Sequence, residues 1–197
     1  EISECDWSSD VCSSDLNIDN GIAACALAQL AGVSAEEIRA AMLTFGGVDR
    51  RFDFKIKNED CVFLSDYAHH PAEIKQSILS LREVFDGRKI TAIFQPHLYT
   101  RTRDFYKDFA DALSLLDEVI LLDIYPAREL PIEGVNSQLI FDRLRPEMTK
   151  RMAHLTELPQ IVAEGDFDVL VVLGAGDADT YCPQLTEILL KKQATKA

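Results

Sequence analysis

Short apolar runs alternate along most of this chain with stretches in which apolar residues recur every three or four positions. Cys61–Ser65, Ile90–Phe94, Val119–Asp123 and Val169–Leu173 read as buried strands. Between them, Pro71–Phe85 gathers Ile74, Ile78, Leu81, Val84 and Phe85 on one helical face. Arg103–Leu116 does the same with Phe105, Phe109, Ala112, Leu113 and Leu116. Further helices are expected over Ser137–Leu144, around Pro159–Ala163 and from Thr180 to Lys192, with a short strand at Met152–Leu155. Upstream, Phe52, Phe54 and Ile56 alternate with Asp53, Lys55 and Lys57, the signature of a half-buried strand. Strands alternating with helices predict an α/β fold: a Rossmann-like, mainly parallel sheet with helices on its faces.

The beginning of the chain follows a different pattern. Residues 17–45 read as helical, interrupted at Gly32 and restarted by Ser34-Ala35-Glu36-Glu37, a capping box in which Ser and Glu satisfy each other's backbone N–H groups. Gly46-Gly47 then breaks the helix. Asp6–Leu16, DWSSDVCSSDL, has no structural period and reads residue for residue as the translation of a sequencing-library adapter. Residues 1–16 are therefore set aside as an artefact expected to be disordered. A helical segment, 17–48, and an α/β domain, 49–197, remain.

Composition narrows the function. With 197 residues, 47% of them apolar, the chain can bury one core of ordinary size. No apolar run reaches the roughly 18–20 residues of a membrane span. A formal charge of −13 argues against a nucleic-acid or acidic-membrane partner, because phosphate binding rests on Lys and Arg. Cys5, Cys12, Cys25, Cys61 and Cys182 lack any CxxC pair, which predicts reduced thiols in a cytoplasmic protein and no metal site.

The unusual polar residues cluster just after strands. Asp66-Tyr67-Ala68-His69-His70 follows the first, and Gln95 to Arg103, QPHLYTRTR, follows the second. Tyr125 to Gly134, YPARELPIEG, and Gly174-Ala175-Gly176-Asp177 follow the next two. In a parallel sheet all four loops share the carboxyl edge, where ligands bind. His69, His70, His97, Arg101, Arg103 and Arg128 make that edge cationic on an acidic chain, which points to a phosphate or carboxylate ligand. Bland readings exist for several of these residues. His70 can cap the next helix, Arg103 can pair with Asp104 or Asp108, Asp123 and Glu129 can be solvated acids, and the Gly174 loop can be a plain turn.

The residues also resemble a family. NIDN from Asn17 is similar to the tail of the His-Asn-x-x-Asn motif of the Mur ligases, and GGVDRRF from Gly46 to the opening of their C-terminal domain. DYAHHPAEI from Asp66, FQPHLYTRTRDF from Phe94 and DIYPARELPIEGV from Asp123 resemble the alanine-adding branch. The likeness covers the chain from Asn17 onward. Leu16 stands where the motif has His, Ser65 where many members have Asp, and Leu98 where many have Arg.

The resemblance implies the carboxyl-terminal part of a cytoplasmic ATP-dependent ligase of peptidoglycan precursor synthesis. ATP would activate the carboxylate of UDP-N-acetylmuramate for attack by the amine of L-alanine. It further implies that 17–48 is the helical end of a central ATPase domain and 49–197 the C-terminal domain, while the phosphate loop and Mg2+ ligands of the central domain, and the UDP-sugar site of an N-terminal domain, lie outside this chain. Asn17 and Asn20 would meet adenine, Arg51 the phosphates and Asp66 the ribose. Tyr67, His69, His97 and Arg101 would line the alanine pocket, with His69, His97 and Arg101 serving the chemistry. The rivals are a hydrolase binding metal through Asp66, His69, His70 and His97, a nucleotide-binding module without catalysis, and another Mur-type amide ligase.

Overall fold

A computed structural model describes residues 15–196. The disorder expected of the adapter-like segment falls on residues 1–14, outside the described residues. Asp15 and Leu16, assigned to that segment from the sequence, begin a helix instead. This helix, α1 (Asp15–Leu30), ends in a Schellman turn. Val33 N–H reaches Ala28 O, and Gly32 N–H reaches Gln29 O, with Gly32 at φ 88° supplying the left-handed residue. Helix α2 (Ala35–Thr44) starts at the expected capping box: Ser34 N–H donates to Glu37 at 2.9 Å and Glu37 N–H to Ser34 Oγ at 3.3 Å.

A six-stranded sheet forms the rest, from β1 (Asp53–Lys57), β2 (Val62–Asp66), β3 (Ile90–Phe94), β4 (Glu118–Leu122), β5 (Thr149–Ala153) and β6 (Val169–Leu173). Its order is β1-β2-β6-β3-β4-β5, with β1 antiparallel and all other pairings parallel. Every residue of β2, β3, β4 and β6 is buried, as expected when helices cover both faces. The helices are α3 (Pro71–Val84), α4 (Tyr99–Leu113), α5 (Gln138–Phe141), α6 (Leu158–Glu164) and α7 (Cys182–Lys196).

Period-two alternation divides the core. Leu64, Ala92, Phe94, Val119, Leu121 and Val171 face Ile74, Ile78, Leu81, Phe109 and Leu113 of α3 and α4. Phe63, Ile93, Ile120, Leu122, Leu170 and Val172 face Leu158, Ile161, Val162, Leu185 and Leu189 of α6 and α7. Truncating one such residue, Ile78→Ala for instance, costs about 2–5 kcal/mol in a close-packed interior.

Several boundaries differ from the sequence reading. Helix α4 begins at Tyr99, so Arg101 sits inside its first turn rather than before it. β5 spans Thr149–Ala153, not Met152–Leu155. As an edge strand, most of its side chains reach solvent, so TKRMA carries little apolar signal. The expected helix 137–144 is a single turn, and α7 is entered through a 3₁₀ turn, Ala178–Tyr181.

Chain direction creates a crevice. After β3 the chain runs to α4 on one face; after β6, β3's neighbour, it runs to α7 on the other. Loops that leave adjacent parallel strands toward opposite faces open a cleft at the carboxyl edge.

Candidate functional site

At that edge Tyr67, His69, His97 and Tyr125 form a row of rings spanning the ends of β2, β3 and β4. Successive centroids lie 5.1, 6.2 and 5.6 Å apart, edge-on for the first two contacts and stacked at 22° for the last. The backbone sets this row. His97 and Tyr125 bridge in parallel register, with Tyr125 N–H donating to Pro96 O and Leu98 N–H to Tyr125 O. Tyr67 N–H donates to Arg50 O at 2.6 Å.

Cations flank the row. The guanidinium groups of Arg50 and Arg51 lie 4.8 and 5.3 Å from the Tyr67 ring centre, within cation–π range. Arg50 braces the glycine loop: its Nη2 donates to the carbonyls of Gly174 (3.1 Å) and Gly176 (3.2 Å), and Nε pairs with Asp179 at 3.0 Å. Arg51 is exposed and keeps its guanidinium free of such bracing. At the other end, Arg101 Nη1 and His97 Nδ1 are buried polar atoms without a hydrogen-bond partner. Burial first, then the charges of Arg101 and His69, hold the His97 imidazole below its ordinary pKa, with Glu129 opposing.

His69 is oriented differently. Its Nδ1 lies 2.9 Å from Tyr67 O and 3.4 Å from a Glu73 carboxylate oxygen, and because a carbonyl only accepts, Nδ1 carries a proton. Glu73 accepts the backbone N–H groups of both His69 and His70, at 3.0 and 3.2 Å, closing the start of α3. His70, at the N-cap of α3, turns its ring onto Phe105. Arg103 pairs with its neighbour Asp104 at 2.8 Å, and Asp123 with His154 at 2.6 Å.

Asp66 is enclosed at the end of β2, only 4% exposed. Its carboxylate accepts the Ser77 hydroxyl and the Ala68 N–H. Burial pushes its pKa up against those bonds and the nearby Arg51 charge. Ser65, one residue earlier, is buried against the thiol of Cys182, which burial raises to about 11. Asn17 and Asn20 fall on α1, outside the sheet, a helix whose Leu27 and Leu30 are 66% and 85% exposed. Among the described residues no cluster of three or more His, Cys, Asp or Glu is arranged to hold a metal ion. None of their helices is long and apolar enough to cross a membrane.

Sequence reasoning missed two residues that build the site. Gln95 is buried and ties β3 to the β6 loop, its Nε2 donating to Asp177 at 2.7 Å and its Oε1 accepting Ala178 N–H at 3.0 Å. A polar residue directly continuing an all-buried apolar strand was the available signal. Glu129, weighed as a solvated acid, instead holds Thr100 through its backbone N–H and its hydroxyl.

An open, mostly parallel α/β sheet with cations and aromatic rings at its carboxyl edge defines a Rossmann-like ligand-binding class. Residues 50–176 match the family described as Mur ligase, glutamate ligase domain, and the chain belongs to the Mur ligase family. It is 64% identical over 177 residues to a UDP-N-acetylmuramate–L-alanine ligase of Phocaeicola vulgatus, covering 90% of this chain and 39% of that protein. A ligase of the same name from Parabacteroides distasonis is 54% identical over 177 residues, covering 90% and 38%. The solved UDP-N-acetylmuramate-alanine ligase of Thermotoga maritima superposes with a TM-score of 0.69 at 27% identity, over 93% of this chain and 39% of that one. The chain thus spans about two fifths of the length of these relatives.

Proposed function

We propose that this chain is the carboxyl-terminal part of an ATP-dependent ligase of peptidoglycan precursor synthesis that joins L-alanine to UDP-N-acetylmuramate in the cytoplasm. The observation that carries the reading is the pair of unpartnered buried nitrogens, Arg101 Nη1 and His97 Nδ1, on a chain of net charge −13. A guanidinium left uncompensated in an acidic protein suits a small carboxylate, the chemistry an amino-acid substrate brings. The similarity to proteins named as alanine ligases supplies the substrate.

In this reading Arg101 clamps the alanine carboxylate, and Tyr67 closes the aromatic wall. Burial and neighbouring cations favour the neutral form of His97, which keeps a proton acceptor beside the incoming ammonium, with His69 next to it; that ammonium must lose its charge before it attacks. Such positioning converts a bimolecular encounter into a local one. ATP supplies the phosphoryl group that activates the sugar's carboxylate. Arg51, exposed above Tyr67, suits a phosphate contact. Asp66 would reach a ribose only if its bonds to Ser77 and Ala68 opened. Asn17 and Asn20, on α1, would serve adenine. No magnesium ligand is assigned to the described residues. The exposed apolar side chains of α1 and α2 support assigning 17–48 to a neighbouring domain, with 49–197 as the carboxyl-terminal domain.

The test is to express the whole protein and mix it with ATP, UDP-N-acetylmuramate and L-alanine. A product heavier by one alanine residue, with ADP released only when all three are present, is expected. ADP release with other amino acids but not alanine would remove the substrate assignment, and none with any would remove the ligase reading.

A further inference from the structure

Helix α4 has no cap of its own. Its N-cap residue is Leu98, whose side chain has no acceptor and whose backbone sits at φ 74°, a region L residues rarely adopt. The first N–H groups of a helix nevertheless require partners. Here they come from far along the chain: Glu129 Oε2 accepts Thr100 N–H at 2.9 Å, and Oε1 accepts the Thr100 hydroxyl. The Glu129 carboxyl is held below its usual pKa by the Thr100 hydroxyl first and then by the Thr100 and Tyr99 N–H groups.

The loop that delivers Glu129 is itself tensioned. Glu129 N–H closes a turn onto Pro126 O through Ala127 at φ 50°, a second left-handed non-glycine residue. Backbone of this kind persists where surrounding contacts over-determine it, and it tends to occur at functional sites. The same loop begins at Tyr125, which stacks on His97. Thr100 is followed directly by Arg101, whose buried Nη1 has no partner. The Glu129 carboxylate is therefore spent on the helix terminus and forms no ion pair with Arg101.

We infer that Glu129 is a positioning residue for the amino-acid carboxylate: by capping α4 from the opposite loop it fixes Arg101 and His97, and by being so engaged it leaves Arg101 open to the substrate's anion. This inference rests on the ligase reading above and deepens it. Loss of the cap frees the first turn of α4 and the loop stacked on His97. Both ends of the amino-acid pocket then loosen together, while Arg51 and Asp66, on other elements, are untouched.

Two measurements test it. In the whole enzyme, Glu129→Ala is expected to raise the KM for L-alanine about 10- to 100-fold, the range for losing a charge-assisted contact, with the KM for ATP within about twofold. Glu129→Gln, which keeps an acceptor for Thr100 N–H, recovers part of the loss, and Thr100→Val, which deletes only the hydroxyl, falls between. An alanine constant unchanged in folded Glu129→Ala, or alanine and ATP constants rising in parallel, overturns the inference. Should Glu129→Ala not fold, Thr100→Val decides by the same criteria. An unsubstituted enzyme that ligates no alanine counts against the ligase reading instead. The present chain then reads the positioning directly: Glu129→Ala should speed amide exchange at Thr100 and Arg101 by at least about 10-fold and move the His97 titration downward. Unchanged exchange at those two amides overturns it.

Discussion

The rings of His69 and His97 stand 6.2 Å apart at 65°, although one closes β2 and the other β3 and the intervening sheet position belongs to β6. The ring contact therefore crosses the carboxyl end of β6, where the chain turns at Gly174. Gly174 and Gly176 let that turn pack directly on Gln95: a Cβ added at Gly174 would come within 2.7 Å of Gln95 O, and one at Gly176 would collide with Gln95 Oε1.

Gly174→Ala and Gly176→Ala should consequently be among the costlier alanine substitutions in the loops. Gly174 adds strain at φ 131°, and Gly176 displaces the Gln95 side chain from Ala178. Each is expected to destabilise the chain by about 1–3 kcal/mol. Gly87→Ala, with open space around it, should register only its backbone cost at φ 73°. Urea unfolding of the three variants measures the difference, and equal losses at all three would refute the close-approach explanation.

On the proposed ligase reading, Arg101→Ala in the whole protein should lower catalytic efficiency for alanine by about 10- to 150-fold, the equivalent of a charge-assisted bond of about 1.5–3 kcal/mol. Arg101→Lys should recover only part of this, because an ammonium lacks the planar fork. ATP binding should change little. If Arg101 only braced its helix, the melting temperature would drop and both substrates would suffer alike, so steady-state constants with a melting curve separate the two cases.

The histidines should titrate in opposite directions. Burial and neighbouring cations depress His97, whereas the hydrogen bond to Asp123 and the charge of that carboxylate raise exposed His154. For His97 the unfolded chain binds more protons between the folded value and about 6.5, so stability rises with pH across that window. For His154 the sign is reversed: its contribution is complete below about 6.5 and is lost as pH rises through the folded value. Imidazole resonances followed by NMR against pH would show it, and His97 titrating above His154 would be decisive against the site geometry.

The chain by itself should form no amide bond from alanine and UDP-N-acetylmuramate. It contains no GxxxxGK[ST] phosphate loop, and the described residues hold no metal cluster to neutralise a transferring phosphoryl group. Product formed by highly purified chain in the presence of ATP would contradict this.

The sequence alone determined the buried strands, the inner faces of α3 and α4 and the capping box at Ser34. In each case a local period or a pair of residues three apart is the physical cause of the element. It also placed Tyr67, His69, His97 and Arg101 on one edge, since a parallel sheet sends every such loop to the same side. Only the tertiary structure decided that β6 lies between β2 and β3, that Arg50 and not Arg51 braces the glycine loop, and that Glu129 caps α4. Those relationships join residues far apart in the chain. Their partners are chosen by packing and by the need to satisfy buried polar groups, and neither leaves a local pattern to read.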